Sequence, residues 1–249
     1  MHNKKGFILY FDILGYKNLI NPIAKESNKR LKFILDNFSK RQCWLNFVFN
    51  FGDELIKNKE KLFMKSFSDN FLFLYESIDF NECNTESKKI NYYLTLNNIM
   101  CIASMIQSQF LEQGILIRGS ISFGEIAYNT NIIYGKDLVN AIELEEGHSE
   151  PSIVLDNYFK TIADNKMFSY RNSVSPFHYH NTSSLDHKAI IKGIETYLSY
   201  LDLSTATIED KEHILKKIDW IIEAMNNYFV YKNVVKYELS QDLKLSIKQ

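Results

Sequence analysis

Phe7 to Phe11 is an unbroken apolar run, which reads as a strand buried on both faces. From Tyr16 to about Phe51 the pattern changes to helical spacing. Leu31, Ile34, Leu35 and Phe38 make one stripe, and Trp44, Phe47, Val48 and Phe51 continue it. Pro22 predicts a break between a short first helix and a longer second one. Leu62–Phe67 and Phe71–Tyr75 are apolar runs flanking the polar Ser68-Asp69-Asn70, the signature of a hairpin. Ile78 to Lys89 is polar and reads as a loop. Tyr92 to Leu111 is an amphipathic helix with Leu96, Ile99, Met100, Ala103, Ile106 and Phe110 inward, stopped by Gly114. Ile115 to Glu125 is a strand, and Ile126 to Tyr134 returns as another around Asn129-Thr130-Asn131. Gly135 opens a helix from Lys136 to about Glu146, with Leu138, Ala141, Ile142 and Leu144 on or near its apolar face. Pro151–Leu155 is a short strand, and Asp156 caps a helix beginning at Asn157. Asn165 to Asp186 is polar and irregular. Two helices close the chain, His187–Leu201 and Ile208–Tyr231, the second capped by Thr207 or Ser204 with Ile214, Ile218, Ile221, Ile222 and Met225 inward.

The order is strand, helices, hairpin, helix, hairpin, helix, strand, helix. It predicts an α+β fold with a ferredoxin-like β-α-β-β-α-β core and additional C-terminal helices. We divide the chain at residue 165, with the core before it and a mostly helical extension, residues 166–249, packed on it.

Composition changes this picture little. At 249 residues with 45% hydrophobic and 24% charged content the chain can bury a substantial core. A net charge of −1 gives no basic footprint for nucleic acid. Cys43, Cys83 and Cys101 are odd in number, widely spaced and without a zinc pattern, which suits a reducing compartment. Lys4 and Lys5 precede an apolar run as in a secretory leader, but Asp12 interrupts it and no small-residue cleavage site follows. No apolar stretch approaches the roughly 20 residues that span a bilayer. The expectation is a soluble, cytoplasmic protein.

The candidate chemistry begins at Asp12, a carboxylate leaving a buried strand, with Gly15 permitting a tight turn or close ligand approach. Such a carboxylate can hold a hard divalent cation under a polyphosphate, or simply cap a turn. Asp69 in the hairpin turn is a second acid at a strand end, and the predicted sheet can bring it beside Asp12. Two such carboxylates are what two-metal phosphoryl chemistry requires. Arg118 lies among apolar neighbours, where a guanidinium needs an anion; a structural carboxylate and a substrate phosphate are both open. Gly119 beside it leaves room for a ligand or for backbone. Glu143, Glu145, Glu146 and Glu150 read as a solvated face. His178 and His180 would share a strand face, but no neighbouring thiol or acid motif supports a metal there.

Taken together these residues resemble the class III nucleotidyl cyclases over roughly residues 7 to 165. The aspartate-isoleucine-x-glycine-aromatic signature of the first strand is matched by Asp12, Ile13, Leu14, Gly15 and Tyr16. The hairpin's lysine and aspartate are matched by Lys65 and Asp69, with Ser68 where the family has glycine. Arg118, Ile121 and Gly124 match the later strand, and Gly135, Leu144 and Glu145 the final core helix. Aligned without gaps, the helix's usual asparagine and arginine fall on Val139 and Glu143. Asn140 is one residue away, about 100° around the helix. The wording Asp-Ile-Leu-Gly-Tyr, Phe-Ser-Asp-Asn and Arg-Gly-Ser-Ile-Ser-Phe-Gly-Glu is similar to the pyrimidine cyclases of Pycsar anti-phage systems.

The resemblance implies cyclisation of UTP or CTP to the 3′,5′-cyclic monophosphate with release of pyrophosphate. It implies two Mg²⁺ or Mn²⁺ ions held by Asp12, Asp69 and the Ile13 carbonyl, and backbone amides of Leu14, Gly15 and Tyr16 at the phosphates. Lys65 would line the base pocket, and Arg118 would take over the role of the missing helical arginine. A head-to-tail homodimer and a separate receptor for the diffusible product are implied as partners, with neither nucleic acid nor membrane. The alternatives are a catalytically silent cyclase-like nucleotide-binding or regulatory protein, and a purine cyclase. Another palm-type phosphoryl transferase is disfavoured because no Gly-Gly-Asp turn is present.

Overall fold

The computed structural model describes residues 2–16, 32, 62–129, 132–163, 172–175, 177, 187–201 and 207–230. Most of the helical pattern expected between Tyr16 and Phe51 lies outside the described residues, as do His178, His180 and Ser204. The apolar run extends into β1, His2–Leu14. The expected hairpin is present as β2, Leu62–Phe67, and β3, Asn70–Glu76. Next come α1, Glu86–Glu112, then β4, Leu116–Tyr128, and the two-residue β5, Ile133–Tyr134. They are followed by α2, Lys136–Glu146, β6, Ile153–Leu155, and the single-turn α3, Tyr158–Thr161. After β7, Ser173–Val174, the helices α4, His187–Tyr200, and α5, Ile208–Val230, complete the described chain.

Strand order in the sheet is β2-β3-β1-β4-β6-β7, with β5 paired to β4. The pairs β2/β3, β3/β1 and β1/β4 are all antiparallel. Hence β1 and β2 run parallel with β3 between them, and β3 and β4 run parallel with β1 between them. That is the split β-α-β arrangement expected from the element order, and the fold class is α+β. Beyond it, β6 adds to β4 in parallel and β7 adds to β6 antiparallel. The strand β7 falls in the stretch that reads as irregular from sequence.

Both faces of β1 are covered from Gly6 onward, which is why Phe7–Phe11 is continuously apolar. Phe7, Leu9, Phe11 and Ile13 pack with Leu96, Met100, Ala103 and Phe110 of α1. On the opposite face Ile8 and Tyr10 pack with Leu72, Leu74 and with Leu138 and Ala141 of α2. Leu14 and Leu116, farther along that second face, lie under Ile190, Ile194, Ile218 and Ile221 of α4 and α5. The extension therefore closes over the end of β1. Register is held firmly, because a one-residue slip would turn both apolar sets to the wrong partners.

Three helix starts have simple local causes. The helix α1 starts at Glu86 rather than Tyr92, because Thr85 Oγ1 accepts from the Lys88 amide and caps it inside the supposed loop. Asp156 Oδ1 accepts from the Tyr158 amide at 2.8 Å, so the capping holds but α3 begins one residue later. At α5, Thr207 Oγ1 accepts from the Asp210 amide and Asp210 Oδ2 accepts from the Thr207 amide, a reciprocal cap.

The hairpin turn places Ser68 at φ 57°, a left-handed conformation natural for glycine. Ser68 thus adopts a backbone shape that glycine would supply without strain. Replacing it (Ser68→Gly) is expected to stabilise the protein by roughly 0.5 kcal/mol, the relieved strain slightly exceeding glycine's added chain entropy. Chemical denaturation checks this; a loss of stability would refute strain at the turn.

Candidate active site

Alternation along β1 puts Asp12 on the face of Ile8 and Tyr10, between the α2 cluster and the Leu14 cluster. Antiparallel pairing sets Asp12 opposite Asn70 on one side and opposite Arg118 on the other. The Ile13 amide donates to the Asp69 carbonyl at 3.0 Å, which ties the hairpin turn to the end of β1. Immediately after, Gly15 turns the chain at φ 73°. Asp12 and Asp69, distant in sequence, are therefore brought to one end of the sheet by β1/β3 pairing. Lys65 lies on β2 opposite Leu72, and Tyr16 packs against the α1 cluster.

Arg118 occupies the same patch. Its Nε lies 3.6 Å from Asp12 Oδ2 and pairs with Glu145 Oε1, while Nη1 donates to the His148 carbonyl at 2.7 Å. Among the described residues its Nη2 has no protein partner. Gly119 beside it is filled by backbone: a Cβ there would sit 2.2 Å from the Tyr10 carbonyl oxygen. The room next to Arg118 therefore serves strand pairing, not a ligand.

Glu145 corrects the sequence reading. It was expected on a solvated face, yet it is 3% exposed. Leu138, Ala141 and Glu145 fall at i, i+3 and i+7 on one stripe of α2, so the turn that buries the two apolar residues also carries Glu145 inward. That spacing is the signal which could have found it. Two further residues escaped the reading. Asn70 looked like a local turn former, and Lys217 sits on α5 with nothing in its sequence context pointing to β1.

Electrostatics follow from this crowding. Burial lifts the Asp12 carboxyl above the usual aspartate range, opposed by Arg118; Asp69 raises it further, Lys217 lowers it, and Glu146 adds a smaller upward push. Burial lowers the half-buried Lys217 ammonium, and Arg118 lowers it too, while Asp12 pulls it back up. Glu145 is pushed up to about 7, burial outweighing the pull of Arg118, with Asp12 adding to the rise. A carboxyl raised on folding gives stability that is complete below its unfolded pKa and is lost as pH rises through its folded one. Stability is thus expected to fall between about pH 4.5 and pH 7 through Glu145, and Glu145→Gln to remove that segment. Melting temperatures across that range test it; an unchanged profile in the variant would refute the assignment.

The donor chemistry suits a hard divalent cation, since the two side chains brought to this sheet end are carboxylates. Among the described residues no group of three or more His, Cys, Asp or Glu gathers at a metal-binding spacing, so the pair alone is the candidate. Among the described residues no helix is long and apolar enough to cross a membrane.

No protein-family model matches the chain, and neither does any curated protein. Among solved structures, the chain is similar to the adenylyl cyclase CyaB from P. aeruginosa, at 15% identity and a TM-score of 0.40, over 69% of this chain and 92% of that one. It is also similar to a class III adenylyl cyclase-like ATP-binding protein from Pseudomonas aeruginosa, at 16% identity and a TM-score of 0.42. That match spans 93% of this chain but 44% of the other. A third is the guanylyl cyclase Cya2, at 11% identity and a TM-score of 0.36, covering 66% and 80% of the two chains.

Proposed function

We propose that the chain is a class III nucleotidyl cyclase acting on UTP or CTP. The observation that carries this reading is the pairing of β1 with β3, which sets Asp12 opposite Asn70 and ties Ile13 to Asp69. It is joined by the order of the four matched motifs along the sequence. In the proposed reaction the ribose 3′ oxygen bonds to the α-phosphorus and loses its proton, and the bond from that phosphorus to pyrophosphate breaks. Asp12, Asp69 and the Ile13 carbonyl would hold two Mg²⁺ or Mn²⁺ ions. When bound, such ions acidify the 3′ hydroxyl and neutralise triphosphate charge. Backbone amides of Leu14, Gly15 and Tyr16 would meet the phosphates, and Lys65 would line the base. Arg118 would direct Nη2, which has no partner among the described residues, toward the phosphoryl oxygens.

A homodimer through the β5–α2 edge is part of the proposal, because Ile132, Tyr134 and Val139 are each at least half exposed there. The diffusible product would act through a separate receptor in antiviral defence. The purine cyclase alternative is an outcome of the same assay. Incubating the protein with ATP, GTP, CTP or UTP and Mn²⁺, then separating products by chromatography, tests the reading. Cyclic UMP or cyclic CMP with equimolar pyrophosphate is expected.

One observation favours a second reading, a catalytically silent nucleotide binder. Val139 and Glu143 stand on exposed positions of α2 where the family has its asparagine and arginine. Triphosphate binding without any cyclic product would support it.

A further inference from the structure

Asp69 sits in a two-residue turn, where a carboxylate has rotational freedom unless something holds it. One oxygen is held. Asn70 Nδ2 donates to Asp69 Oδ1 at 3.0 Å. The amide that makes this bond is itself anchored, because Tyr10 Oη donates to Asn70 Oδ1. Tyr10 is 5% exposed, packed with Ile8, Leu72 and Leu138, so its hydroxyl is a fixed point within the sheet.

The direction of this relay follows from charge. A carboxylate only accepts, so the amide must turn its NH₂ toward Asp69 and its oxygen toward Tyr10. Tyr10 must then donate. The amide oxygen carries no hydrogen of its own, so the bond between them runs from the phenol O–H. The same amide stands opposite Asp12 in the β1/β3 register. Asn70 is thus a neutral donor at the junction of two acids that repel one another.

We infer that Asn70, oriented by Tyr10, is a positioning residue that fixes one oxygen of Asp69 and leaves the other for a divalent cation. The inference rests on the two-aspartate reading above. Partners behind metal ligands that hold them in one orientation typically contribute 10–100-fold to metal affinity. A purely structural role would instead appear as lost stability with unchanged affinity.

The test is Mn²⁺ binding to the full chain, read from the electron paramagnetic resonance signal of free Mn²⁺, alongside melting temperature. Tyr10→Phe removes one oxygen and keeps the ring in its apolar cluster; Asn70→Ala removes the amide from a part-buried strand end. Both are expected to weaken Mn²⁺ binding about 10–100-fold, with Asp69→Ala weakening it at least as much. If Asp69→Ala weakens binding while Tyr10→Phe and Asn70→Ala bind as the wild type does, the relay is overturned and the aspartate pair stands. If Asp69→Ala itself binds Mn²⁺ unchanged, the pair fails and the relay fails with it.

Discussion

Asp12→Ala and Asp69→Ala are each expected to reduce cyclisation by at least about 10³-fold at saturating Mn²⁺, with the fold intact. The expectation rests on their convergence at one sheet end and on the burial and like charge that make Asp12 reluctant to ionise alone. Removing one carboxylate from such a pair also removes repulsion. The metal-free Asp12→Ala protein should therefore melt no lower than wild type. Arg118 would keep Glu145 as its partner in that variant, so no buried cation is stranded. Near-normal turnover in either variant would show that the pair does not carry the chemistry.

Arg118→Ala is expected to do two things at once. Turnover should fall about 10²–10³-fold, the usual loss for an electrostatic stabiliser of developing charge. Stability should also fall, because Glu145 is buried and would lose its cation; stranding a buried charge in this way costs on the order of 3 kcal/mol. The two effects separate in the double variant Arg118→Ala/Glu145→Ala. Removing both members of the pair should restore much of the stability while turnover remains low. Arg118→Lys should recover little activity, since an ammonium cannot reproduce the planar fork that serves Glu145 and the His148 carbonyl and, in the proposed reaction, would also serve the substrate. Normal activity per folded molecule in Arg118→Ala would make this arginine a structural cation and remove it from the reaction.

Much of the fold was legible along the chain. The apolar run at Phe7–Phe11, the 3.6-residue stripe of Leu96, Ile99, Met100, Ala103, Ile106 and Phe110, and the Ser68-Asp69-Asn70 turn all appear where the pattern put them. These signals are local, because a buried face imposes its period on whatever sequence must cover it. The helix Lys136–Glu146 was bounded correctly at both ends for the same reason. The missed start of α1 was also local: Thr85 is a cap, and its signature was in the sequence to be read.

By itself, then, the sequence determined the elements other than β7, their order, and the acids and the arginine delivered at strand ends. Only the tertiary structure decided which charges meet. Glu145 became the buried partner of Arg118 because α2 lies across β4, with Ser120 Oγ donating to the Ala141 carbonyl, and that packing is not encoded within either element. Lys217 reaches the field of Asp12 because α5 closes over Leu14 and Leu116. Tyr10 and Asn70 become one hydrogen-bonded relay because antiparallel pairing sets β3 beside β1 in a single register. Side-chain periodicity reports whether a position is buried, but the partner it is buried against depends on contacts between residues far apart in the chain.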